Sequence, residues 1–173
     1  MKRNASAIWV GNLKGGKGIV TTESCTFSQS RYFASGDTNE KGTNPHELIA
    51  AAHATSFSMA LANELASAGF NPRRINASAT VTIERLTVGW TITGVQLDVL
   101  VESPRAKQSD FIRAAVSAKT NFTISRLLKT NISMSAKLEH GPIPTAEAAR
   151  RRIDSLKLSE TKKQSIGRSS DKA

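Results

Sequence analysis

The chain has 173 residues, 39% hydrophobic but only 5% aromatic, and a formal net charge of +10. Such a length suits one domain whose core rests on Val, Ile, Leu and Ala rather than on rings. No run of about 18 apolar residues is present and the N-terminus is too polar for a signal peptide, so no membrane span or export is expected and the location reads as cytoplasmic.

The charge is scattered, with part of it in the last thirty or so residues, at Arg150, Arg151, Arg152, Lys162 and Lys163. No aromatic residues interleave with these cations, which argues against a nucleic-acid platform. There is one cysteine, Cys25. An intrachain disulfide is therefore impossible, and no Cys/His cluster has zinc-ligand spacing. Neither a metal nor a cofactor is expected.

In chain order, Ala5–Val10 reads as a strand and Ile19–Phe27, β-branched and alternating, as its hairpin partner. Between them Gly11 to Lys17 spells G-x-x-x-x-G-K, but Gly18 follows where a phosphate loop needs Ser or Thr, and a strand follows where it needs a helix. A weak third strand is expected near Tyr32–Phe33. Next comes Glu40–Leu61, EKGTNPHELIAAAHATSFSMAL. Asn44 suits an N-cap and Pro45 the first helical turn, and Glu47 suits the positive end of the helix dipole. A helix is expected from Pro45 to about Ala68, stopped by Gly69. It is small or apolar nearly all round, which calls for burial. Ile75–Leu86 and Trp90–Val101 alternate as a long hairpin, with a phase slip near Gly94. Gln108–Thr120 is amphipathic, Thr123–Lys129 a short helix, and Asn131–Leu138 a last strand. Thr145–Leu158 could form a helix before a polar, disordered end.

Strands and helices are segregated, which predicts an α+β class. One helix this apolar is hard to cover in a single subunit of this size. An intimate homodimer is therefore expected, burying the helix on the side that the subunit's own sheet leaves open. The domain is placed at 1–140, with a basic extension over 141–173.

The stretches AIWVGNLKGGKGIVTTES, EKGTNPHELIAAAHATSFSMAL and AKTNFTISRLLKTNIS together resemble the OsmC/Ohr family of thiol peroxidases, closest to its OsmC branch, over about residues 5–138. The resemblance implies an intertwined α+β homodimer, with curved antiparallel sheets wrapped around a buried central helix, that reduces organic hydroperoxides. In that family a cysteine on the central helix is oxidised to a sulfenic acid and a second cysteine closes a disulfide. A glutamate at the helix start holds an arginine that lowers the thiol pKa. Carried over, the first thiol position falls on Ser56, the second on Phe122, the glutamate on His46 beside Glu47, and the arginine near Gly36, with Arg31 as a possible substitute. Serine has no sulfenate equivalent, and Phe122 cannot resolve one.

The leading expectation is thus an OsmC-like protein without the two-cysteine cycle. It would keep a pocket around Ser56, with Glu47, Phe57, Met59, Phe122 and Arg31 nearby, for a hydrophobic small molecule or hydroperoxide. Cys25 reads as a buried structural cysteine, or else as the thiol of a one-cysteine hydroperoxide reductase. A Ser56/His46 hydrolase and a nucleic-acid-binding tail are the minor alternatives. If the family geometry holds, Ser56 and His46 lie near one another; otherwise Ser56 bonds the Ala52 carbonyl. His53 reads as a satisfied core histidine.

Overall fold

The computed structural model describes residues 1–34 and 41–145. The α+β class holds: two three-stranded sheets and three helices follow one another without regular alternation. The first sheet contains β1 (Ala5–Val10), β2 (Lys17–Thr22) and β3 (Ser30–Tyr32), antiparallel throughout. The β1–β2 turn explains its glycines. Gly16 N–H donates to the Asn12 carbonyl at 2.7 Å, and Gly15 N–H donates to Asn12 Oδ1 at 2.9 Å. A Cβ on Gly16 would fall 2.4 Å from that carbonyl and 2.6 Å from the Trp9 ring; one on Gly18 would fall 2.2 Å from the Tyr32 ring. The missing side chains let the two rings lie over the ribbon, centroids 5.5 Å apart. This is hairpin packing, not a phosphate cradle. Gly16→Ala should push into fixed backbone and cost about 1–3 kcal/mol, read as a lowered urea midpoint.

The second strand is shorter than its sequence pattern. After Thr22 the chain turns: Cys25 N–H donates to the Thr22 carbonyl, and the hydroxyls of Thr22, Ser24 and Thr26 bond one another. Local hydroxyl bonds of this kind compete with a ladder. Cys25 adopts a positive φ of 57° there and is exposed.

Helix α1 (Pro45–Ser67) starts at Asn44, whose Oδ1 accepts the Glu47 N–H at 2.9 Å. It ends in a Schellman arrangement about Gly69 (φ +84°), with Gly69 N–H bonding Ala66 and Phe70 N–H bonding Leu65. His53, Phe57, Leu61 and Leu65, spaced by four, form its buried stripe. The stripe packs on the second sheet and on α2 (Gln108–Asn121). That sheet is β4 (Arg74–Leu86), β5 (Gly89–Glu102) and β6 (Asn131–Glu139), in that order. The phase slip near Gly94 is real: Thr82 faces Gly94 but Ile83 faces Ile92, leaving Thr93 as the extra residue of a bulge. One pairing departs from expectation. β6 runs parallel to β5, because α2 and α3 (Thr123–Leu127) return the chain alongside β5 before β6 begins. The core joins Phe57, Leu61 and Leu65 to Leu97, Val99 and Val101 of β5 and to Phe111 and Ala115 of α2.

Among the described residues, two surfaces are left uncovered. The face of α1 opposite its stripe shows Ala52, Thr55 and Met59 to solvent, Met59 at 73%. The strands of the first sheet pack extensively only on one another, and Ile8, Val10 and Leu13 near its hairpin are exposed. Within one subunit, therefore, α1 is buried along one stripe and not all round. The position near Gly36 expected for an arginine and the tail helix expected over Thr145–Leu158 (beyond Thr145) lie outside the described residues.

Candidate functional site

Asn44 and Pro45 fix where α1 begins, and so fix the direction of every side chain along it. At the first turn Glu47 Oε2 accepts the Thr43 hydroxyl at 3.0 Å. Its carboxylate thus braces the loop that enters the helix. His46 is half-buried beside it. Ser56 lies ten residues further on, about 15 Å along the axis. The two do not meet within one subunit, and the Ser56/His46 pair has no geometry there. Nor does Ser56 bond Ala52; the Ala52 carbonyl accepts Thr55 Oγ1 at 3.1 Å instead. Ser56 is half-buried, and its hydroxyl has no partner among the described residues.

The expected pocket lining separates for a simple reason. Phe57 and Met59 are two residues apart on a helix, about 200° around it. Phe57 is wholly buried in the core while Met59 points outward. Phe122 ends α2 and begins α3 in extended conformation, half-buried against the core. What Ser56 has nearby is a shallow groove of about 170 Å³ that opens one turn further along α1. Asn63 and Glu64 of α1 line one side, and Asn121, Phe122 and Thr123 the other. Arg31 is exposed on β3, its carbonyl accepting the Thr43 N–H at 3.0 Å. Cys25 stands on the β2–β3 turn of the first sheet, not buried as expected and not on α1.

A residue that sequence reading undervalued is His53. It is wholly buried, with its ring parallel to that of Phe122, centroids 6.5 Å apart. Its Nε2 lies 3.2 Å from Ser125 Oγ, and its Nδ1 has no partner among the described residues. A buried orphan N–H is rarer than an orphan acceptor, so the proton belongs on Nε2, donated to Ser125. In that tautomer His53 cannot serve as a base for Ser125, and no carboxylate orients it. Burial lowers the His53 pKa from its ordinary 6.5. The unfolded chain then takes up this proton at a higher pH than the folded one does. Stability should be full above pH 6.5 and fall as pH drops from there through the folded value. Urea unfolding of His53→Gln across this window should show a shallower fall than the parent protein.

Comparison with known proteins gives the context. The family model described as "OsmC-like protein" matches residues 37–137. The chain is 40% identical over 138 residues to "Peroxiredoxin OsmC" of Escherichia coli, covering 79% of this chain and 96% of the relative. The chain belongs to the OsmC family. Solved structures agree on the fold. An OsmC-like protein of unknown function from Vibrio cholerae superposes with a TM-score of 0.67 at 14% identity, covering 79% of this chain and 99% of that one. The organic hydroperoxide resistance protein OhrB of Bacillus subtilis gives 0.58 at 16% identity, covering 79% and 98%. An OsmC-like protein from Mycoplasma pneumoniae gives 0.65 at 16%, covering 81% and 99%. Among the described residues no group of acidic, His and Cys side chains could hold a metal, and no helix is long and apolar enough to cross a membrane.

Proposed function

We propose that this OsmC-family chain does not run a two-cysteine peroxidase cycle. It acts instead as a cytoplasmic, homodimeric binding protein for a hydrophobic small molecule or hydroperoxide beside Ser56. One observation carries the reading. Ser56 and Phe122 occupy the positions that the family resemblance assigns to thiols, and the sole thiol, Cys25, sits on an exposed turn of another sheet. A hydroxyl does not form a sulfenate, so substrate that reaches Ser56 is bound and not reduced. The relatives' names, peroxiredoxin and hydroperoxide resistance protein, support the ligand class.

The homodimer is supported by the two uncovered surfaces. A second copy would give the open face of α1 an apolar neighbour and the first sheet something to pack on. The groove by Phe122 would then be walled by the partner, which makes a shallow site deeper. Scattered basic charge without stacking aromatics favours no nucleic-acid role.

The competing reading is a one-cysteine reductase using Cys25. It requires Cys25 to gain one oxygen on exposure to cumene hydroperoxide and to be restored by an added thiol. Intact-mass measurement with a sulfenic-acid trap decides. The binding reading expects slow oxidation at the rate of an ordinary exposed thiol; rapid stoichiometric oxidation at low peroxide would replace it with the reductase.

A further inference from the structure

The family model ends at residue 137, yet the chain beyond it is held by a built set of contacts. After β6 it turns back across the end of the second sheet, where Arg74 pairs in register with Glu102. Ile143 is buried there, 5% exposed. Pro142 and Pro144 have no N–H, so Ile143 supplies the one amide proton of the tripeptide. It goes to Glu102 Oε2 at 3.2 Å, and Glu102 is itself only 7% exposed. The Ile143 carbonyl accepts Arg74 Nη1 at 2.8 Å, and the Pro144 carbonyl accepts Asn76 Nδ2 at 2.8 Å. Arg73 Nη1 stands 3.8 Å from the other Glu102 oxygen. A buried carboxylate, a guanidinium and a carboxamide thus pair with the amide and the two carbonyls that follow it.

We infer that Arg74, Asn76 and Glu102 form a clamp that seats residues 141–144 as a strap. The structural domain then ends at 144 and not at 140. The strap also fixes the root of the extension that follows, in which eight Lys and Arg stand against four Asp and Glu. The extension leaves from one defined point, beside the start of β4 and the end of β5. The two prolines lower the entropy lost in seating the strap, and the neutral, sequence-independent backbone contacts explain why no charge pattern in 141–144 announces it.

The test uses the full chain and four variants. In the full chain the Ile143 amide should exchange with deuterium at least about tenfold more slowly than an open amide. Glu102→Gln should speed that exchange and lower the Tm. A chain stopped after His140 should lose several degrees relative to one stopped after Thr145, which should match the full chain. In the chain stopped after His140, Glu102→Gln should no longer cost stability. An Ile143 amide that exchanges freely, or equal melting of the two shortened chains, overturns the clamp. An equal cost of Glu102→Gln with and without the strap does so as well.

Discussion

Phe57→Ala should destabilise the protein by about 3–5 kcal/mol, enough to unfold a marginal domain at room temperature. Phe57 is wholly buried within the α1 stripe, flanked by His53 and Leu61. It shares one core cluster with Leu97 and Val99 of the second sheet and Ala115 of α2. Small side chains on strands and on a facing helix collapse poorly into a space left by a ring. The cavity term therefore adds to the lost transfer term. Denaturant unfolding checks it. A loss under about 1 kcal/mol would mean that Phe57 is not central to the core.

Ala52→Glu should abolish self-association while leaving the subunit core intact. Ala52 lies on the exposed face of α1, and Met59 and Ser56 lie on the same side, at three- and four-residue spacing. A carboxylate buried without a partner costs several kcal/mol, so association should weaken by roughly a hundredfold or more. Light scattering coupled to size exclusion should give dimer for the parent and monomer for the variant. A monomeric parent would remove the homodimer, and a variant that stays dimeric would place its contact elsewhere.

Most of the fold was legible from residue pattern. Asn44-Pro45 and Gly69 bracket α1 because capping chemistry is local. The alternation from Ile75 and from Trp90 gave the long hairpin, down to its bulge. Three things were not legible. The end of β2 depended on whether Thr22, Ser24 and Thr26 bonded the ladder or each other, and hydroxyls fit either. The parallel placement of β6 depended on where α2 and α3 delivered the chain. Pattern along one strand does not carry that information. For His53, a sequence shows only that a histidine lies on an apolar face. Its bond to Ser125 spans 72 residues, and its second nitrogen has no partner among the described residues.

On the proposed reading, Ser56 ended the thiol cycle while the fold persisted. Steady-state consumption of cumene hydroperoxide with an excess of dithiol reductant tests it most directly. The parent protein, Cys25→Ser and alkylated protein should all consume peroxide at the rate of the reductant alone. Turnover well above that rate in the parent, lost on alkylation and in Cys25→Ser, would contradict the claim.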